Sequence, residues 1–457
     1  MSALIQEMPS EFAPASEESR RQAQLLQLFL ITHASIVLVG AIRKWLFPSV
    51  FALYFLQDLP ILAAYIYAVR FRLYTRGIVT LSVTVIAFLL LIQSMIQLAV
   101  LGLPLKVFVV GYHAYLFYLP MLAIFPLAMN ARGRDRFMRW YILSGIPMAV
   151  LVLIQSRSSA SAFVNRTTGG RGFGGLQGDL ARATGTFNFV TFYGLWLTIC
   201  FTFCASEWLF PKAYRSVKNR VLLLSSTAGC LISIAVSGSR GAVAAGVIVL
   251  LGVAAASFLL KNYRALMILG LFLLSAPITL GVAALVSPKM LVAFENRITN
   301  PVNVREAKGR IVIMLTDFIP TSDDLVGAGL GFGVDGSHAG ELGSYEFTYQ
   351  LSESDLSRIL LELGVVTGSF YVAWRLLFCL GLILISVKLT VDHITPHALP
   401  LSFFLFSQAL GGDWTRNPTM STTQAFLAMS FILGAFYFRD HMISDPTPEI
   451  HFAPRHA

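Results

Sequence analysis

Five short stretches hold residues whose types and spacing suit chemistry. The first is Ser237-Gly238-Ser239-Arg240-Gly241-Ala242, small residues around one arginine between two apolar runs. Arg240 suits bidentate contact with phosphate oxygens, and the Gly241 amide at a helix start adds a donor for an anion. The same residues also suit a tight turn with an interfacial arginine. The second is Gly309-Arg310 followed by Ile311-Val312-Ile313-Met314-Leu315, an arginine leading an amphipathic stretch. It reads equally as an anion site or as an interfacial anchor. The third is GAGLGFG at 327–333. It lies between apolar spans without the strand–turn–helix setting that a dinucleotide loop needs, so we read it as a flexible loop for close approach.

The fourth stretch opens a helix: Glu353-Ser354-Asp355-Leu356-Ser357-Arg358, then Glu362-Leu363-Gly364. Glu353 or Asp355 suits the role of general base if desolvated. Both also suit a helix N-terminus, with Ser352 or Ser354 as cap. Glu362 lies two turns deeper, where an acid is functional or pairs with a neighbouring arginine. The fifth is Arg182-Ala183-Thr184-Gly185-Thr186-Phe187-Asn188. Thr184 and Asn188 there suit a sugar or a helix cap in equal measure. His338, beside Asp335 and Glu341, is a second choice of base or a solvated loop residue, and His113 reads as a hydrogen-bonded interior residue. Cys200, Cys204, Cys230 and Cys379 all fall in apolar runs and read as packing residues, neither disulfides nor metal ligands. No metal-protease, nucleophile-elbow or Walker pattern occurs, and no cofactor is expected.

The elements that must hold these residues are membrane helices. Of 457 residues 56% are hydrophobic and 13% charged, and the mean hydropathy is +0.70. A single soluble domain and a disordered chain are both excluded. Apolar runs of helical length fall at 25–42, 49–69, 78–101, 107–129, 138–156, 185–208, 221–237, 241–260, 264–286, 356–388, 397–411 and 418–438. The expected fold is an all-α polytopic membrane protein of about twelve transmembrane helices. Residues 1–24 read as a cytoplasmic tail rather than a cleavable signal, 25–286 as helices 1–9, and 287–355 as a large periplasmic loop between helices 9 and 10. Helices 10–12 follow over 356–438, and 439–457 form a second cytoplasmic tail. Arg375 interrupts the tenth run and must snorkel or face the bundle interior.

Short loops give the orientation. Arg70, Arg72 and Arg76, then Arg132, Arg134, Arg136 and Arg139, then Lys212, Arg215, Lys218 and Arg220, then Lys261 and Arg264 mark the cytoplasmic side. The opposite short loops carry only Arg43, Lys44, Lys106, Arg240 and Arg416. The net charge of +10 follows this bias and does not imply nucleic acid. The two long connections, 157–184 and 287–355, gather further arginines on the outer face, which points to an anionic ligand there.

In order, RATGTF before a span, SGSRG between two spans, a GR-plus-apolar stretch, a GxGxG stretch and an LxxLxELG helix start resemble the O-antigen ligase and polysaccharide polymerase superfamily of bacterial envelope glycosyltransferases. The resemblance covers roughly residues 180–370. It implies an inner-membrane enzyme with its active site facing the periplasm. Donor and acceptor would be undecaprenyl-diphosphate-linked oligosaccharides, used without nucleotide sugar or metal, and a chain-length regulator is an implied partner. It also implies that Arg240 and Arg310 hold the donor diphosphate. Arg182 and Arg358, with Thr184, Asn188, Ser239 and His338, would line the substrate. The His-Asn pair that lipid A-core ligases carry at this helix start is replaced by Glu353 and Ser354, and the Pro-Asn after RATGTF by Phe189-Val190-Thr191. Both departures favour a polymerase of exopolysaccharide, capsule or O-antigen repeats. The alternatives are a ligase and, further off, a lipid-linked-oligosaccharide transporter, which internal repeats would mark.

Overall fold

In the computed structural model the described residues are 17–48, 50–167, 181–211, 217–301, 305, 309, 325–334, 354–412, 414–415 and 419–439. Among them the chain is helical, with no strand. Its main helices are α1 Glu17–Ala41, α2 Asp58–Phe71, α3 Ile78–Leu101, α4 Leu105–Tyr112, α5 Ala131–Arg157, α6 Val190–Leu209, α7 Val217–Val236, α8 Arg240–Leu259 and α9 Tyr263–Val286. There follow α10 Pro288–Thr299, α11 Asp355–Val391, α12 Ala398–Gly411 and α13 Ser421–Tyr437. Nine of the described helices are long and apolar enough to cross a membrane, so the chain is a polytopic α-helical membrane protein.

The first helix starts at Glu17, ahead of the apolar run that begins at Leu25. Glu17 and Glu18 stand in its first turn, where the helix dipole favours them, and Arg21 pairs with Glu17 one turn on. Two helices widen into π turns: α1 continues through Ile42–Leu46, and α4 through His113–Phe117. The run beyond α4 then breaks into Met121–Ile124 and a tight turn over Phe125–Ala128.

Helix α6 is buried on nearly every side, as is α13 from Ser421 to Ala435. Around them, α5 packs on α7, α6 on α8, and α12 on both α8 and α11. Small residues permit these approaches: a Cβ on Gly145 would strike Ser226 and Cys200, and one on Gly252 would strike Pro400. Trp208 meets Thr227, Cys204 meets Ser226 and Cys200 meets Cys230, so α6 and α7 run antiparallel; the chain turns back at Gly238 into α8, and the N-termini of α6 and α8 share one end of the bundle. Pro400 at the start of α12 meets Gly252 in the second half of α8, and His397 just ahead of α12 bonds Glu207 near the end of α6 at 3.1 Å, so α12 begins at the end away from Arg240 and runs back toward it. The end of α12 and the start of α11 therefore also lie at the Arg240 end.

The long run over 356–388 is not one continuous helix. Gly364 has φ 76° and ψ 165°, a backbone state open to glycine, and it splits α11 into a short outer piece and a long span. The split frees the carbonyls of residues 361–363. The 325–330 segment and α3 take them up: Ala328 N donates to Leu361 O at 2.8 Å, and Gln97 Nε2 to Glu362 O at 2.6 Å. Gln93 Nε2 donates to Leu363 O at 3.0 Å. A helix break at this depth persists because every freed acceptor finds a donor.

Candidate functional site

The Arg240 end of the bundle gathers four of the five stretches. The first, Ser237–Ala242, is the α7–α8 turn. Gly238 reverses the chain at φ 62°, and Ser237 Oγ accepts from Ser239 N at 3.2 Å. Ser239 caps α8 by accepting from Ala242 N at 3.3 Å, so its lone pair serves the helix first. Arg240 is the first residue of α8 and is partly exposed.

The RATGTF stretch forms a turn just ahead of α6. Gly185 takes φ 58°, and Phe187 N donates to Thr184 O at 3.0 Å. Neither Thr184 nor Asn188 caps α6, whose N-cap is Phe189. Gln155 near the end of α5 holds the turn on three sides. Its Oε1 accepts from Thr184 N and Gly185 N at 3.1 and 2.8 Å, and its Nε2 donates to Gly185 O at 2.9 Å. Lys44, from the π turn after α1, completes the clasp. Its Nζ donates to Thr184 Oγ1 at 2.8 Å and to Gly185 O at 2.9 Å. Lys44 is 0% exposed, and among the described residues no carboxylate touches it. Thr184 is therefore a buried partner of Lys44 and does not line an open surface. Asn188 is also buried, with Oδ1 unpaired among the described residues. Arg182 is partly exposed.

The α11 start builds a different arrangement. Asp355 Oδ1 is engaged by Arg358 and by Thr415 Oγ1, the latter at 3.0 Å. Its Oδ2 is engaged by Arg375 and by Trp414 N, the latter at 3.2 Å. A carboxylate offers about four lone-pair sites, and all four are taken. Asp355, expected as an alternate base, thus anchors two arginines. Arg375 faces the interior: Nη2 donates to the Gln408 and Gly412 carbonyls at 2.9 Å each, and the guanidinium lies 4.3 Å from the Trp414 ring centre.

Glu362 closes the network. It accepts from Gly331 N at 3.1 Å and Gly333 N at 2.8 Å, and pairs with Arg358 at 3.5 Å. Arg358 Nη1 also donates to Gly333 O at 2.9 Å. Arg358, expected at the substrate, is buried in this network. The GAGLGFG segment is correspondingly a packed loop, held on α3 and α11. A Cβ on Gly331 would strike the α4 backbone at Gly111, and one on Gly333 would strike Arg358 and Glu362.

Arg310, Glu353 and His338 lie outside the described residues. Sequence reasoning missed Lys44, Gln155 and Thr415, whose partners are remote in the chain. It also missed the pairing of His113 with Asp58, Nε2 to Oδ2 at 2.8 Å. All four cysteines are buried, and the thiols of Cys200, Cys204 and Cys230 lie within 4.8 Å of one another between α6 and α7. Cys200 Sγ donates to Tyr141 O at 3.2 Å, a packing contact. Comparison with protein-family models, with curated proteins and with solved structures gives no match for this chain.

Proposed function

We propose that the chain is a polymerase of lipid-linked glycan repeats, working at the periplasmic face of the bacterial inner membrane. Twelve spans, both termini in the cytoplasm and a large loop between spans 9 and 10 belong to this reading. The donor is the growing glycan on undecaprenyl diphosphate, and the acceptor is a single repeat on the same lipid. The acceptor hydroxyl attacks the donor's anomeric carbon with inversion, and undecaprenyl diphosphate leaves with the bonding electrons. No metal or cofactor enters this scheme.

The observation that supports the reading is Lys44. Among the described residues no carboxylate faces this wholly buried lysine, and an anionic ligand would complete its surroundings. Lys44 is held on the RATGTF turn, at the same bundle end as Arg240. Arg240, Arg310 and Lys44 would share the charge that grows on the leaving diphosphate. Each such donor is worth about 3–4 kcal/mol of transition-state stabilisation. Arg182, Asn188, Ser239 and His338 would position glycan, and a chain-length regulator would set product length.

The test is a gel profile of surface and lipid-linked glycans from a deletion strain complemented with wild type or Arg240→Ala. Single repeats that accumulate and are not rescued by the variant support the polymerase. Full-length polymer left on its lipid would replace this reading with a ligase, and repeats trapped on the cytoplasmic face with a transporter.

A further inference from the structure

The polymerase scheme needs a base, and the described part of the α11 start does not supply one. The strongest arrangement for that task is in the other half of the bundle, at the same end. Asp58 opens α2, and His113 opens the π turn that follows α4. His113 Nε2 meets Asp58 Oδ2 at 2.8 Å, and Tyr118 donates to Asp58 Oδ1 at 2.6 Å. Tyr118 Oη also lies 3.1 Å from Nε2. An ionised carboxylate only accepts, so the imidazole proton sits on Nε2 and the lone pair on Nδ1. Nδ1 has no hydrogen-bond partner among the described residues. Unlike the α11 carboxylates, the pair is not sealed: the His113 and Asp58 side chains are 11% and 10% exposed.

The surroundings suit a sugar. The imidazole stacks on Phe117 at 5.3 Å and meets the edge of Phe55 at 5.2 Å, with Tyr54 at 6.2 Å. Phe55 and Phe117 are partly exposed and offer ring surface to the apolar face of a pyranose. Arg43 lies over the Tyr54 ring at 5.1 Å, and the next residue, Lys44, holds Thr184 at 2.8 Å. One π turn therefore links the aromatic niche to the proposed diphosphate site. π turns concentrate at functional sites, and here the Tyr54 ring lies beside a residue of each, Arg43 on one and His113 on the other.

We propose that His113 is the general base that removes the proton from the acceptor's attacking hydroxyl, with Asp58 as its positioning residue. The proton passes from the hydroxyl to Nδ1. The freed oxygen forms the new bond to the anomeric carbon as the carbon–phosphate oxygen bond breaks, and the diphosphate keeps that electron pair. Asp58 holds the tautomer and balances the imidazolium that forms. The assignment rests on the polymerase reading.

The experiment uses the full chain in proteoliposomes, given undecaprenyl-diphosphate-linked glycan extracted from the deletion strain. The wild type is expected to lengthen these chains. His113→Ala is expected to lower kcat at least about a hundredfold with KM unchanged, and added imidazole to restore part of the rate. His113→Gln keeps a donor toward Asp58 without a base, and is expected to show the same loss with the wild-type melting midpoint. Asp58→Asn is expected to lower kcat without imidazole rescue. If the wild type lengthens chains and His113→Gln does so at the same rate, the base assignment falls and the polymerase stands. If His113→Ala loses rate with no imidazole rescue, the histidine is structural and the assignment falls. If the wild type lengthens nothing, both fall together.

Discussion

At the start of α11, Arg358 and Arg375 face Asp355 and Glu362, two cations against two anions. At the end of α1, Lys44 faces a hydroxyl and a carbonyl. Both regions are buried, and both lie at the Arg240 end of the bundle. The first balances its own charge. Its guanidiniums are fixed by carboxylates, by backbone carbonyls and by the Trp414 ring, so it holds the α11–α12 corner together. The second lacks a counter-charge among the described residues, and a ligand anion would supply one. Buried charge in a membrane protein thus separates into scaffold and site by its balance rather than by its depth.

The largest expected effect tests the scaffold side. Arg375→Ala strips one of two arginines from a buried carboxylate, and losses of this kind cost about 3–5 kcal/mol. The thermal midpoint of the purified protein should fall steeply, and an unchanged midpoint would deny the network its structural role. Next is Gly364→Ala. Its φ of 76° strains any side chain, and the new Cβ would strike the Leu325 carbonyl. We expect a loss of about 2–3 kcal/mol, read by the same midpoint. Glu362→Gln keeps one acceptor for Gly331 or Gly333 and loses the charge facing Arg358, for about 1–3 kcal/mol.

The smallest stability effect should come from Lys44→Met, which removes a buried amine that meets no carboxylate among the described residues and keeps most of the volume. We expect a midpoint within about 1 kcal/mol of wild type together with loss of long glycan in the complemented deletion strain. A Lys44→Met protein that melts far below wild type would move Lys44 to the scaffold and erase the contrast between the two regions.

Much of the fold was legible because a membrane helix must satisfy its own backbone and so needs a long apolar run. The start of α11 falls within one residue of the run that marked it. The pairing of Glu362 with Arg358 was also legible, since four residues on one helix is a facing distance. The partners of Arg375 and Lys44 were not. Arg375 meets Asp355 across 20 residues and a backbone break, and Lys44 meets Thr184 across 140. The dyad of Asp58 and His113 spans 55 residues, and nothing near either one marks the other. The break itself was hidden because its signal, one glycine in an apolar stretch, is common in membrane helices. The glycine loop that completes it carries no hydrophobic period to betray where it docks.

The two π turns have a further consequence, in the counting of residues. A π turn is a helix carrying one residue more than its neighbours need. Removing Ala114 would let the α4 turn relax to ordinary helix and rotate the chain on its N-terminal side by about 100° against the chain on its C-terminal side. His113 would swing off Asp58 while every other side chain in the niche kept its identity. The same holds for one residue lost from Ile42–Leu46, which would carry Lys44 away from Thr184. This end of the bundle should therefore tolerate many exchanges of side chain and almost no change of length.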